Sequence, residues 1–376
     1  MSSGKINLWL VIIFTLTTHL KADFTPQHPY VYMDENDIQI MRDNVLVHKY
    51  PWAVNLYSKA RQCAKSGSWN YLTYKIGKNM IGCALVYLID GDVSYADGAV
   101  YWLKQFMNNY DPRDQSSAGG YTLEKIYHFH PIQVLIPIAY DLMYNYLAQN
   151  RPNDLAALTN YIDWLGDRFQ GSFGHNENHQ NYYGKGLCGY VLGRSDLIST
   201  VENAFKEWYE GTTGKVHGGF HYEPGSQAMK HFAYVFESQV HYLLAAHNAA
   251  KKGYTTWDPV TWNTSKGWNV LRDNWRMLCK KSTPKFQVPY ETMWRGNLYL
   301  LPTCTGFYNI AYYMTGNPEW QALAAQNVNR EIIIHSTINT YWAGLSHGRE
   351  IVGNPQFKND CVKISLFCFI PINIFF

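Results

Sequence analysis

The sequence predicts an all-α protein, an incomplete (α/α) toroid of paired antiparallel helices with an open aromatic-lined cleft. Three observations carry that reading. Apolar residues recur at helical spacing in about a dozen stretches, with little of the alternation that marks strands. Gly-rich loops such as Ser116 to Gly120 and Gly211 to Gly219 separate these stretches into loose pairs, without the strict period of a solenoid. Aromatic residues reach 16%, enough to fill a core and still line a long cleft with rings.

The elements follow in order. Asp34 to Ser66 carries Ile38, Met41 and Val45, then Trp52, Leu56 and Ala60. Pro51 opens a second helix there, because a first turn has no use for the missing N–H. Met80 to Leu88, Tyr95 to Tyr110, Pro131 to Leu147 and Asp154 to Phe169 are the next apolar stripes. Tyr182 to Leu192 and Leu197 to Tyr209 follow. The long stretch His231 to Lys251 opens after the turn residues Pro224-Gly225-Ser226. Trp268 to Leu278, Asn297 to Met314 and Pro318 to Ile334 complete the set.

Composition narrows the function classes. At about 150 residues per domain, 376 residues allow two or three domains or one large repetitive one. Apolar residues make up 47%, which excludes a disordered chain. Lys and Arg number 32 against 29 Asp and Glu, so no strong field points to nucleic acid or to an anionic membrane.

Residues 1–22 read as a secretory signal peptide: Lys5 supplies the positive start, Leu8 to Thr18 the apolar stretch, and Ala22 the small residue at the cut. The expected product is secreted, with no membrane attachment after cleavage. Seven cysteines follow, Cys63, Cys83, Cys188, Cys279, Cys304, Cys361 and Cys368. In an oxidising compartment some pair, and their spacing does not say which. Asn263-Thr264-Ser265 is a glycosylation acceptor consistent with secretion. The stretch Cys361 to Phe376 is apolar and broken by Pro371, and continues no earlier pattern. It reads as a truncated or misjoined tail, with a buried terminal strand as the alternative.

Four segments resemble one family. The first is His28-Pro29-Tyr30-Val31-Tyr32-Met33, followed by the acidic Asp34 to Asp37 and by Pro51-Trp52. The second is Ala139-Tyr140-Asp141-Leu142-Met143-Tyr144. The third is His175-Asn176-Glu177-Asn178-His179-Gln180-Asn181-Tyr182-Tyr183, leading into the small-residue helix Gly184 to Gly193. The fourth is Gly219-Phe220-His221-Tyr222-Glu223-Pro224-Gly225-Ser226, leading into the helix with His231 and Tyr234. Together they resemble the (α/α)-toroid polysaccharide lyases of the alginate lyase and heparinase II/III group, over roughly residues 28 to 340. The resemblance implies a toroid domain over 23–355, an atypical tail over 356–376, and β-elimination on a uronic-acid-containing polysaccharide. The implied protein is a monomer with an anionic polysaccharide substrate and no cofactor or catalytic metal, a structural calcium being left open.

The chemistry of that reaction suits the residues present. The C5 proton beside an ionised sugar carboxylate is a poor acid, so the carboxylate must be neutralised or hydrogen-bonded as charge develops. A side-chain amide does this without a permanent charge, and Asn178 occupies the family's amide position. A base must take the proton and an acid must protonate the leaving C4 oxygen. His179 suits the first task near neutral pH. A Tyr on the later helix suits the second. Aligned without gaps, the family's catalytic Tyr falls on His231 with Tyr234 as the second aromatic, so His231, Tyr234 and Tyr222 all remain candidates. The family's Arg before that Tyr is absent, and Lys230 is the nearest cation. Arg295 is shaped to grip a substrate carboxylate in a bidentate way. His130 is placed to line the cleft.

Blander roles compete. Asn178 and His179 can cap the helix that follows. His175, Glu177 and His179 could hold a metal only from an extended segment. His241 and His247 read as satisfied, partly buried histidines. Two other functions stay open: an inverting glycoside hydrolase using a pair drawn from Asp141, Glu177, Glu223 and Glu291, and a non-catalytic carbohydrate-binding protein.

Overall fold

Every regular element among the described residues is helical, and no strand occurs among them. The computed structural model describes residues 23–69, 73–111, 132–169, 176–210, 228–262, 309–318, 320–321 and 342–348. The signal segment, the glycosylation acceptor at Asn263 and the tail lie outside them.

Helix α1 (Glu35–Arg42) opens the predicted stretch Asp34 to Ser66. The Asp34 carboxylate accepts the Asp37 N–H, and the Asp37 carboxylate accepts the Asp34 N–H, so two orphan donors are satisfied reciprocally. A single π turn (Asp43–Val47) then separates α1 from α2 (Pro51–Ala60), which has Pro51 in its first turn as expected. The π turn carries no signal in the residue pattern.

Three hairpins follow. Helices α3 (Thr73–Asp90) and α4 (Val93–Asn109) form the first, α5 (Ile132–Asn150) and α6 (Pro152–Arg168) the second, α7 (Asn176–Leu192) and α8 (Ser195–Glu210) the third. Each is closed by one or two residues, so its partners must run antiparallel. Helix α9 (Ala228–Lys251) begins a further unit, and a helical segment at 309–315 and the short α10 (Ala343–His347) pack near the start of the described chain. Among the hairpin helices and α9 the bounds match the predicted stripes to within a few residues except at two starts, α3 seven residues before Met80 and α7 six before Tyr182. Helix α10 matches no predicted stripe, and Trp268 to Leu278 and most of Asn297 to Met314 and Pro318 to Ile334 lie outside the described residues.

Neighbour relations arrange the helices in two rows. Helices α3, α5, α7 and α9 pack in sequence, α3 on α5, α5 on α7, α7 on α9. Helices α4, α6 and α8 each pack behind their hairpin partners. The first row runs parallel. Tyr87 and Tyr146 meet at 5.2 Å near the ends of α3 and α5. Gln133, in the first turn of α5, packs on Gly184, midway along α7, while Tyr30 joins Asp141 to Tyr190 further along both. Gln239 bonds Tyr183, and Tyr242 lies over Gly186, so α9 advances with α7.

Helix α7 touches all four of its neighbours because it lacks bulk where they approach. Gly184 faces Gln133 and Phe169, Gly186 faces the Tyr242 ring, and Gly189 faces Leu197 and Ile198. Lys185 donates to the carbonyls of Gly166 and Phe169 at 3.0 and 3.2 Å, satisfying the end of α6.

The segment 23–33 forms a strap across the ends of the row. His28 Nδ1 meets Asp141 Oδ1 at 2.6 Å, and the N–H groups of Tyr30 and Val31 donate to Asp141 Oδ2 at 2.9 and 2.8 Å. The Tyr30 hydroxyl donates to the Tyr190 carbonyl at 2.6 Å, and Asn248 donates to Val31 O. Phe24 stacks on Tyr254, and its carbonyl lies so close to Gly193, at φ +70°, that no Cβ fits there. Asp23 donates its N–H to Gly193 O and accepts from the Ser195 N–H and hydroxyl, capping α8.

A disulfide joins Cys63, just past α2, to Cys83 on α3, while Cys188 is a buried free thiol. The other four cysteines lie outside the described residues.

Candidate functional site

The parallel row has two unlike ends. At one end the chain turns back within one or two residues, at Gly91-Asp92, Arg151 and Gly193-Arg194, and the strap covers it. At the other end helices α3, α5, α7 and α9 begin. The positive ends of their dipoles point that way, an arrangement that favours anions. His130 precedes α5, Tyr222 precedes α9, and both lie outside the described residues, as does Arg295.

The remaining candidates fall on helix backbone at that second end. Asn178 and His179 lie in the opening turn of α7, and Lys230, His231 and Tyr234 in the first two turns of α9. The contacts of Tyr183 with Gln239 and of Gly186 with Tyr242 set one constant offset between the two helices. Carried back along both, that offset brings Asn178 level with Tyr234. His179 is one turn ahead of Tyr183, on the stripe of α7 that faces α9. Asn178 shares the stripe of Lys185. Because Lys185 already reaches the final carbonyls of α6, Asn178 lies two turns past it, beyond the end of that helix.

Two expectations about this segment change. With α7 beginning at Asn176, Asn178 and His179 are inside the helix rather than capping it; the polar run from Asn176 to Asn181 is helical, not a loop. Glu177 and His179 are then about 200° apart around the axis, which removes the extended arrangement a three-ligand metal site there would need. Among the described residues, no group of three or more His, Cys, Asp or Glu is placed to hold a metal ion.

Asn181 is a residue that sequence reasoning passed over. It follows Asn178 by one turn, and its Oδ1 is buried without a hydrogen-bond partner among the described residues. A buried acceptor left unmet costs about 1–3 kcal/mol unless water or a ligand meets it. Nothing in the residue pattern separates Asn181 from its polar neighbours; only its burial does. Beside it, Tyr182 is half-buried, and burial together with the Glu207 carboxylate raises its phenol pKa. Tyr183 is fully buried, which raises its phenol well above the ordinary value, and its hydroxyl accepts from Gln239 at 3.1 Å. Tyr183 therefore serves the α7–α9 contact rather than proton transfer.

Several polar residues prove to be framework. Asp141 is wholly buried, and both its oxygens are engaged by the strap, so it does not serve as a hydrolytic acid or base. His247 Nδ1 meets Asp258 at 3.0 Å, the satisfied histidine expected. His241 is buried with its ring edge-on to Tyr32 at 5.5 Å. His347, on α10, joins Ser346 at 2.8 Å and the Tyr32 carbonyl at 3.0 Å, and so holds α10 to the strap.

Compared with known proteins, the chain matches no protein-family model, and no curated protein is similar to it at a significant level.

Proposed function

We propose that this protein is a secreted polysaccharide lyase that cleaves a uronic-acid-containing chain by β-elimination. The helix pairs would form an incomplete (α/α) toroid with the open, aromatic-lined cleft at the end where α3, α5, α7 and α9 begin. The observation that carries the reading is the shared offset of α7 and α9, which brings the backbone of Asn178 and His179 level with that of Tyr234. Two segments far apart in the chain, each resembling the same family, thereby meet at one level. Four helix starts at that end suit an acidic chain. The Cys63–Cys83 disulfide suits an oxidising compartment.

In this reading Asn178 hydrogen-bonds the sugar carboxylate and lets negative charge flow into it as the C5–H bond breaks. His179 takes the C5 proton. The electron pair forms the C4–C5 double bond, the C4–O bond breaks, and a group on α9 returns a proton to the departing oxygen. Tyr234 or His231 fills that last role, with Tyr222, Lys230, His130 and Arg295 binding the chain. No water is consumed. A hydrolase would consume one, and the burial of Asp141 removes one of the four carboxylates that reading needs.

The test is a screen of alginate, glucuronan, polygalacturonate and heparan-type chains, followed at the ultraviolet band of an unsaturated uronate. A lyase produces that absorbance with each new reducing end. Reducing ends without absorbance would mean hydrolysis, and binding without either product would mean a carbohydrate-binding protein. Comparing Tyr234→Phe with His231→Ala then assigns the acid: the true donor's variant loses at least tenfold in rate, about 1.4 kcal/mol of barrier.

A further inference from the structure

A pocket opens near where α3 and α5 finish, at the end of the row opposite the helix starts. Its volume is about 440 Å³, within the range of small-ligand sites. Its lining is mixed: apolar groups such as Leu88, Leu142 and the Tyr87 ring stand with the polar Arg42, Glu35 and Gln149.

Arg42 is the unusual member. It is half-buried, and its Nε donates to the Leu88 carbonyl. Among the described residues no carboxylate lies within ion-pairing distance of its guanidinium; Arg61 likewise has none, whereas Arg151, Arg168 and Arg194 each have one. With Nε engaged, the two terminal NH2 groups are left for an anion, a pair that the two oxygens of a carboxylate can match. Glu35 accepts a weak bond from Asn145, and the Gln149 amide makes none within the described protein.

We infer that this pocket is a binding site for an acidic sugar, remote from the helix-start end, with Arg42 holding the carboxylate. One cation and one anion in the same pocket suit a ligand with a single carboxylate among many hydroxyls. Glu35 would repel a polyanionic peptide but accepts sugar hydroxyls. The Gln149 amide supplies a donor and an acceptor, Asn145 and Asn150 supply acceptor oxygens because their NH2 groups already bond the His28 and Tyr146 carbonyls, and the Tyr87 ring with its apolar neighbours takes the C–H face of a pyranose. The inference shares its ligand class with the lyase reading but does not need catalysis, because the pocket and the α7–α9 end lie at opposite ends of the row.

The experiment is hydrogen–deuterium exchange on the full chain with tetrasaccharides of mannuronate, guluronate, glucuronate and galacturonate, and with cellotetraose as the uncharged control. At least one acidic tetrasaccharide should slow exchange in peptides covering 35–42, 87–93 and 142–150, and cellotetraose should not. By calorimetry, Arg42→Gln should weaken that binding at least tenfold. Gln149→Trp, which blocks the pocket from an exposed position, should do the same with an unchanged melting temperature. Protection confined to the starts of α7 and α9, no protection at all, or binding indifferent to both variants would overturn the inference. So would a poly-glutamate peptide that protects the same segments as well as the sugars do. Release of an unsaturated product is scored separately, so a silent lyase assay leaves this result standing on its own.

Discussion

Gly186 has no side chain, and that absence decides how α7 and α9 meet. A Cβ built there would overlap the Tyr242 ring, which is itself fully buried against Tyr183 and Tyr190. Alanine is intrinsically the better helix former by about 1 kcal/mol, yet overpacking a buried ring costs about 1–3 kcal/mol. Gly186→Ala should therefore lower the denaturation midpoint, and a rise would show that the two helices can separate freely. Asn181 predicts the opposite pairing of effects. Asn181 is half-buried, but its Oδ1 is fully buried and unmet among the described residues, so an apolar side chain of similar size removes a penalty of up to about 1–3 kcal/mol. Asn181→Leu should raise stability while weakening substrate binding, read as a higher melting temperature with a higher KM. A variant that gains stability and keeps wild-type KM would place Asn181 outside the site.

Among the elements, α7 shows what the residue pattern does and does not reveal. Its apolar part, from Tyr182 onward, was legible because Tyr183, Leu187, Tyr190 and Val191 repeat at helical spacing. Its opening turn was not, because six polar residues carry no apolar rhythm and read equally well as a loop. Hence the helical backbone of the candidate site came from the structure, while the candidates themselves were chosen by residue type. The turn between α7 and α8 is likewise held by something periodicity ignores. Arg194 bridges Asp163 and Asp167 on α6 and Asp196 on α8, at 2.7, 2.9 and 2.6 Å. The Arg194 hydrogen bond outweighs burial and lowers the Asp196 pKa; on the neighbouring hairpin Lys104 does the same for Asp154. Burial pushes the Asp258 carboxyl up, but the bonds from His247 and the Val260 N–H together prevail and leave it lowered. A depressed carboxyl stabilises the fold above its unfolded pKa, near 3.9 for aspartate, and that contribution disappears as pH falls through the lower folded value. Thermal stability should accordingly drop as pH falls below about 4, and the drop should be shallower in Asp196→Asn. Equal slopes for the two proteins would deny the Arg194 cluster its part.

Across the whole molecule, the all-helical class and the hairpin order were readable because each hairpin is local: one apolar stripe, a short break, another stripe. The strap was not. Nothing in Asp23 to Met33 announces that Asp141, more than a hundred residues away, takes two of its backbone N–H groups. The Cys63–Cys83 pairing was equally hidden, since spacing alone cannot select one pair from seven cysteines. What long-range packing adds is polarity. The strap and the tight turns occupy one end, and the opening turns of four parallel helices occupy the other. The proposed chemistry depends on that second end, and above all on the amide of Asn178. The most direct measurement is the rate of unsaturated product release by Asn178→Ala on the uronate polymer the wild type cleaves, with circular dichroism to verify the fold. A folded variant at least tenfold slower, with His179→Ala similarly impaired, is the predicted result; a folded Asn178→Ala working at the wild-type rate would contradict the account.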